Sequence, residues 1–118
     1  MAWEYSQTSG RLSHNGQVVG YGYSGSSSGR NNASLQCVRD VGPIPRGSYR
    51  IGRPRNSMST GPHVMDLDPY GHNACGRSGF QIHGDNSTNN ASTGCIILAR
   101  PIRERISSSG DDTLSVVQ

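Results

Sequence analysis

Apolar residues in this chain recur at alternate positions within short runs, and glycine, serine and asparagine interrupt these runs every few residues. Alternation of this kind is typical of strands with one buried face, and Asn15-Gly16 is a strong hairpin signal. The pattern predicts strands at Tyr5 to Gln7, Arg11 to Ser13, Gln17 to Tyr23, Tyr49 to Ile51, Val64 to Leu67 and Phe80 to His83. We therefore expect a mainly β protein with many turns.

Two consecutive segments lack this alternation. Residues 25–29 read Gly-Ser-Ser-Ser-Gly, which predicts a flexible stretch. Residues 30–41 show no clear period, so we expect a structured loop with room for one helical turn. Both segments are interpreted as an insert within one domain.

The C-terminal quarter predicts a buried strand, one helix and a closing strand. Residues 96–98 are apolar on both faces, as in a central strand. Pro101 suits the first turn of a helix, Ile102 and Ile106 share one helical face, and Gly110 can end the helix. Residues 114–117 then form a short strand.

Composition narrows the possible functions. The length of 118 residues, with 31% apolar residues and 16 glycines, predicts a single domain over residues 1–118 with a modest core. All 11 basic residues are arginine and are scattered along the chain, which argues against a nucleic-acid surface. Because the guanidinium fork suits planar carboxylates, an acidic small substrate or a peptide terminus is the favoured partner.

The N-terminus also bears on the compartment. Residues 1–7 contain neither a basic region nor an apolar core, so we expect no secretory signal peptide. No window is apolar for long enough to cross a membrane.

The three cysteines, at positions 37, 75 and 95, cannot all pair with one another, and a Cys37–Cys75 disulfide remains an open question. Cys95 is the candidate for the unpaired thiol. His83 ends one apolar run and Cys95 begins another, so an imidazole and a thiol stand at two strand ends. An imidazole can accept the proton of a thiol nucleophile, and the Cys95 amide after Gly94 can face an oxyanion. This arrangement predicts acyl transfer.

Three motifs extend this interpretation to most of the chain. They are Pro-Ile-Pro-Arg-Gly-Ser-Tyr-Arg-Ile-Gly, Gly-Arg-Ser-Gly-Phe-Gln-Ile-His-Gly-Asp-Asn and Ala-Ser-Thr-Gly-Cys-Ile-Ile-Leu, in that order. Together they resemble the L,D-transpeptidase catalytic domain and are most similar to the short L,D-transpeptidase-like effectors of type VI secretion systems. The resemblance implies an L,D-transpeptidase-like β-sandwich with one short helix after the nucleophile strand.

The resemblance also implies the chemistry. Cys95 is then the nucleophile and His83 the general base, while Ser92, Thr93 and Gly94 support the nucleophile and the oxyanion. The implied substrate is a tetrapeptide stem of peptidoglycan, attacked at the L-centre of diaminopimelate next to the terminal D-Ala. Water as acceptor gives L,D-carboxypeptidase activity, and a D-amino acid gives exchange. No cofactor and no metal are implied.

Two features depart from the broader family. Thr93 stands where that family usually has histidine, and Cys95 follows His83 by only 12 positions, a shorter spacing than usual. We therefore expect trimming or exchange rather than cross-linking.

Four residues near the histidine are candidates for substrate binding. Asp85 lies two positions after His83 and either holds substrate or caps the loop, and Gly84 lies between them. Arg77 and Tyr70 precede the histidine strand and suit substrate carboxylates, although solvent exposure explains them equally well.

The resemblance implies partners and a compartment as well. The chain is expected to be made in the cytoplasm without a signal peptide and to act in the periplasm of target bacteria after type VI delivery. A cognate immunity protein and a secretion-system carrier are the implied protein partners, with neither nucleic acid nor membrane insertion.

Two other classes of function remain open from the residues alone. His72, Cys75, His83 and Cys95 include the ligand types of a tetrahedral zinc site. The alternative is a non-catalytic β binding module in which Cys95 is structural.

Overall fold

A computed structural model describes residues 2–88 and 90–118. Within these residues the chain forms ten strands and one α-helix, together with three short 3-10 turns. The strands are β1 (Trp3–Ser6), β2 (Arg11–His14), β3 (Gln17–Tyr21), β4 (Tyr23–Ser24), β5 (Gly47–Ile51), β6 (Arg55–Ser57), β7 (Gly61–Tyr70), β8 (Gln81–His83), β9 (Ile96–Ile97) and β10 (Thr113–Val117). The helix α1 spans Arg100–Ser108.

The strands join into one mixed sheet in the order β3-β2-β1-β10-β5-β7-β8-β9-β4, with β6 paired to β7 as a side branch. The β1–β10 and β8–β9 pairs are parallel, and the remaining pairs are antiparallel. The predicted mainly β class with one helix after the Cys95 strand is thereby confirmed.

The sheet curves around one hydrophobic core. Trp3 and Tyr5 from β1 belong to the same buried cluster as Phe80, Ile82 and Ile96 from the other half of the sheet. These residues are between 0% and 3% exposed. The two halves of the sheet therefore share one close-packed core, and β8 and β9 pack against it.

Helix α1 packs one face against the sheet, as its sequence predicted. Ile106 is buried, and Ile102 packs against the core from a partly buried position. Arg103 is also buried, and its guanidinium donates to the carbonyls of His63, Leu98 and Pro62. No helix in residues 2–88 and 90–118 is long and apolar enough to cross a bilayer.

Residues 25–29 do not form the flexible stretch that we expected. Gly25 and Gly29 are buried, and Ser26 N–H donates to Val41 O at 2.9 Å. A Cβ on Gly25 would lie 2.4 Å from Gly29 O, so the glycines permit tight packing here. The segment is an ordered turn held against residues 30–41.

One predicted strand was also wrong, and one hairpin was not predicted. The expected strand from Gln17 to Tyr23 is divided, because the chain at Gly22 approaches Ile97 so closely that a Cβ would lie 1.9 Å from Ile97 O. Strand β4 therefore pairs with β9 instead of continuing β3. The β6–β7 hairpin was missed, since polar residues dominate β6.

Cys37 and Cys75 form a disulfide, which settles the pairing that the sequence left open. The bond joins the loop of residues 30–41 to the loop between β7 and β8. Cys95 is the free cysteine.

Candidate active site

Cys95 and His83 are placed by the parallel pairing of β8 and β9. Ile82 lies opposite Ile96 in this register, and both side chains point into the core. Cys95 is one position before Ile96 and level with Gln81, whose backbone N–H is hydrogen-bonded to the thiol. Side chains alternate between the two faces of a strand, so Cys95 and His83 project from the face opposite the core.

The imidazole of His83 is held as a neutral proton acceptor. Its Nδ1 lies 2.9 Å from Gly84 O, and because a carbonyl only accepts, Nδ1 carries the proton and Nε2 is the acceptor. Burial has the largest effect and lowers the pKa of His83. The next largest effect is that of the Gly84 carbonyl, which raises this pKa, followed by the charge of Arg103, which lowers it, and that of Asp85, which raises it. The ring is therefore neutral near pH 7.

The thiol of Cys95 is partly exposed and protonated at rest. Burial raises the pKa of Cys95, while the Gln81 N–H and the positive charge of Arg77 oppose that rise. Its Sγ lies 3.8 Å from Gly79 O, a weak hydrogen bond that the thiol donates. Within the described residues no hydrogen bond joins Sγ to His83.

The turn before Cys95 is organised by Ser92. The buried Ser92 Oγ accepts from the N–H groups of Gly25 at 2.9 Å and Gly94 at 3.1 Å, and donates to Cys95 O at 2.6 Å. In contrast, the Cys95 N–H has no hydrogen-bond partner in the described part of the chain. It is thus free to donate to a bound oxyanion.

Gly94 is required by its surroundings. Its φ of +143° is a conformation that residues with side chains rarely adopt, and a Cβ there would lie 2.5 Å from Arg77 Nη2. The glycine therefore lets the nucleophile turn pass directly beside a buried guanidinium.

Arg77 does not project toward solvent, where a substrate carboxylate would meet it. It is 7% exposed, and it donates to Gln36 O, to Pro43 O at 2.9 Å, to Gly42 O at 3.2 Å and to Thr93 O at 3.1 Å. The guanidinium thus links the loop before Cys95 to residues 36–43. Since all four of these hydrogen-bond acceptors are backbone carbonyls, no side-chain motif in the sequence could have indicated this role.

A pocket of about 200 Å³ opens beside the thiol. Besides Cys95, the pocket is lined by Arg39, Asp40, Gly79, Phe80 and Thr93. The wall that contains Arg39 and Asp40 is fastened by the Cys37–Cys75 disulfide and by the Arg77 hydrogen bonds. Sequence reasoning missed both wall residues, because residues 30–41 show no period.

The other predicted substrate residues lie outside this pocket. Tyr70 is 65% exposed at the end of β7, where its ring centroid is 5.7 Å from the guanidinium carbon of Arg50. Gly84 and Asp85 line a separate groove of about 490 Å³, and Asp85 accepts from Tyr23 OH at 2.6 Å. The structure thus brings Thr93 and Arg77 to the thiol, but not these three.

The zinc interpretation is wrong. Cys75 is committed to the disulfide, and His72 Nε2 lies 2.9 Å from Ser48 O. No cluster of three or more metal-binding side chains occurs in residues 2–88 and 90–118.

The free Cys95 comes directly before β9, which is parallel to the strand that ends in His83, and this arrangement is compatible with the site that the L,D-transpeptidase resemblance implies. The fold agrees: L,D-transpeptidase 1 of Mycobacterium tuberculosis matches with a TM-score of 0.55 at 18% identity, covering 99% of this chain and 61% of that one. The chain therefore spans about 61% of the length of that protein.

The sequence profile of the Tlde1 domain matches residues 19–116. The chain therefore belongs to the Tlde1 domain family, whose members are type VI effectors of the L,D-transpeptidase type that act on the cell wall. This result confirms the family expected from the motifs. No curated protein is significantly similar to the chain.

Proposed function

We propose that this chain, as a single catalytic domain over residues 1–118, is a cysteine-dependent enzyme that acts on the tetrapeptide stems of peptidoglycan. It removes or exchanges the terminal D-Ala through an acyl-enzyme on Cys95. The observation that carries this proposal is the free Cys95 thiol, which faces a pocket and lies on the strand next to a neutral His83.

In the acylation step, Sγ of Cys95 attacks the carbonyl carbon at the L-centre of diaminopimelate while Nε2 of His83 takes the thiol proton. The carbonyl oxygen becomes an oxyanion, which accepts a hydrogen bond from the Cys95 N–H. The carbon–nitrogen bond then breaks, and His83 returns the proton to the departing amine of D-Ala. A thioester remains on Cys95.

In the second step an acceptor attacks the thioester carbon and the carbon–sulfur bond breaks. His83 takes a proton from water or from the amine of a D-amino acid and returns it to the sulfur. Water yields a tripeptide stem, and a D-amino acid yields an exchanged tetrapeptide.

Proton transfer and attack are coupled in this mechanism. Burial lowers the pKa of His83 and raises that of Cys95, which favours the neutral thiol and imidazole over a thiolate–imidazolium pair before substrate binds. Sγ turns from Gly79 O toward His83 as the substrate carbonyl enters. Neutral general-base catalysis of this kind suits activity near pH 7.

The size of the pocket favours small acceptors. A volume of about 200 Å³ lies below the range of typical ligand pockets, ~300–1,000 Å³, and admits one stem residue rather than two peptides side by side. Trimming and exchange are therefore favoured over cross-linking.

Type VI delivery to the periplasm of target bacteria and a carrier in the secretion system remain part of the proposal. An immunity protein in the producing cell would block the enzyme by covering the pocket beside Cys95. The exposed Arg39 and Asp40 then supply charged contacts at the edge of that interface.

The test is turnover of purified tetrapeptide muropeptides, with products resolved by mass. Wild type should yield tripeptide, or an exchanged stem when D-amino acids are added, and Cys95→Ala should yield neither while keeping its circular dichroism spectrum. Turnover near wild type in Cys95→Ala would refute the covalent mechanism. Stem binding without turnover in wild type would instead support the binding module.

A further inference from the structure

The pocket beside Cys95 presents two adjacent side chains of opposite charge. Arg39 and Asp40 are exposed, and both line the pocket. Neither side chain forms a hydrogen bond or an ion pair within residues 2–88 and 90–118. Both charges act on the buried Arg77, but neither has a direct partner among the described residues, so both are available to a ligand beside the Cys95 thiol.

The backbone that carries these charges is fixed from several directions. Ser26 Oγ donates to Asp40 O at 3.0 Å, and Ser26 N–H donates to Val41 O at 2.9 Å. Cys37 is in the disulfide, and Arg77 binds the carbonyl of Gly42. A wall held in this way presents its side chains in a constant place, as a recognition site requires.

Asp40 also adopts a conformation that is uncommon for a residue with a side chain. Its φ is +62°, in the left-handed region where aspartate and asparagine are enriched. Arg39 directly precedes this residue, and both line the pocket.

We propose that Arg39 and Asp40 select the donor stem by binding the zwitterionic D-centre of diaminopimelate, with Arg39 on its carboxylate and Asp40 on its ammonium. This inference rests on the proposed function and extends it to a specificity determinant. In the acyl-enzyme, a short methylene chain separates the carbon bound to Sγ from that D-centre. Gly79 and Phe80 also line the pocket, so Arg39 and Asp40 share it with the backbone beside the thiol.

The pairing of charges favours the D-centre over a group of the stem that carries only a carboxylate. The terminal D-Ala carries a carboxylate alone, and Asp40 would repel it. Arg77, the other cation of the pocket, already donates to four backbone carbonyls. A site with one available cation beside one anion matches a carbon that bears both an ammonium and a carboxylate.

The first experiment compares two tetrapeptides that differ at one position, one with diaminopimelate and one with lysine, which keeps the ammonium but lacks the carboxylate. Wild type should prefer the diaminopimelate stem by about 10-fold in kcat/KM, mainly through KM, because a charge-assisted pair is lost with lysine. Arg39→Ala should abolish that preference and leave the lysine stem nearly unchanged.

Asp40→Asn should lower kcat/KM equally for both stems, because both stems carry the ammonium. Asparagine is chosen because it tolerates the left-handed backbone at this position. Arg11→Ala, an exposed arginine on β2, is the matched control and should change neither stem. An equal loss on both stems in Arg39→Ala would place this arginine on the D-Ala carboxylate and overturn the inference. No loss on either stem would overturn it as well.

A second experiment does not depend on turnover. Cys95, the free thiol, is alkylated with anionic iodoacetate and with neutral iodoacetamide. The rate with iodoacetate is then divided by the rate with iodoacetamide. Arg39→Ala should lower this ratio by several-fold, and Asp40→Asn should raise it. An active enzyme whose ratio responds to neither variant refutes this inference alone. Absence of turnover in wild type refutes the proposed function, and this inference with it.

Discussion

The guanidinium of Arg77 donates a hydrogen bond of 3.1 Å to the carbonyl of Thr93, two residues before the free cysteine. The same group donates to Gln36, Gly42 and Pro43 across the pocket. One buried cation therefore sets the distance between the nucleophile turn and the wall that faces it. No carboxylate accepts a hydrogen bond from Arg77 in the described residues, so carbonyl dipoles stabilise the charge, together with the negative charge of Asp40.

Replacement of Arg77 should destabilise the fold more than replacement of an exposed arginine. Arg77→Met leaves four carbonyls without their donor, and we expect a loss of about 3 kcal/mol or more in the free energy of unfolding. Arg77→Lys should also be destabilising, because one ammonium cannot reach both sides of the pocket. Urea unfolding measures the effect.

Arg105→Met, an exposed change on α1, is the control and should fall within about 0.5 kcal/mol of wild type. An Arg77→Met midpoint equal to that of this control would show that the carbonyl contacts contribute nothing.

His83→Ala should lower turnover by at least about 10²-fold, because the general base is removed. The pKa of His83 is lowered by burial from its usual value of 6.5, and only the neutral ring accepts a proton. Wild-type activity should therefore rise with pH through a midpoint below 6.5 and reach a plateau near neutrality. His63→Ala controls for the loss of an imidazole elsewhere.

The pH profile of Cys95 alkylation gives an independent check. It should change in His83→Ala, and identical profiles in the two proteins would show that the imidazole does not act on the thiol.

The Cys37–Cys75 bond should contribute to both stability and turnover. It closes a loop with a sequence separation of 38, for which chain-entropy arguments give about 4 kcal/mol of stabilisation. Cys37→Ser with Cys75→Ser should lower the melting temperature and also kcat/KM, because the bond fastens one wall of the pocket. Calorimetry and the muropeptide assay measure the two effects.

A reducing agent should reproduce both losses in wild type and have no effect on the double variant. Full turnover in the double variant would mean that the wall keeps its place without the bond.

Toxicity should depend on compartment and on the thiol. Cytoplasmic expression in bacteria should be tolerated, whereas fusion to a cleavable export signal should cause swelling or lysis, since altered stems no longer donate to cross-links. The exported Cys95→Ala protein should be harmless. Equal killing by that variant, or by unexported wild type, would contradict a peptidoglycan-directed thiol enzyme.

The sequence predicted those elements whose apolar pattern is local. Alternation located β1, β2 and β5, and the spacing of Ile102 and Ile106 located the helix. It could not reveal that β4 leaves β3, because the cause is a close approach of Gly22 to Ile97, far away in sequence. The polar strand β6 carried no apolar signal.

For the candidate site, the sequence indicated the thiol and the histidine, since His83 ends one apolar run, Cys95 begins another, and both lie in recognisable motifs. It did not locate Arg39 and Asp40, whose place depends on a disulfide and on hydrogen bonds to backbone. It also suggested contact with substrate for Arg77, which the structure shows donating to four carbonyls instead. A hydrogen bond to a backbone carbonyl does not depend on the type of the accepting residue, so the sequence does not indicate it.

A pocket wall fastened by a sulfur–sulfur bond is complete only after oxidation. Thiol-reducing systems keep such bonds open in the cytosol, whereas the bacterial periplasm forms them. In protein that is not yet oxidised, the Cys37–Cys75 bond would not hold the pocket wall in place. Oxidation would form this bond and complete the pocket. Protein purified from a reducing cytoplasm should therefore be oxidised before the proposed activity is assayed, so that an unformed disulfide is not mistaken for a lack of that activity.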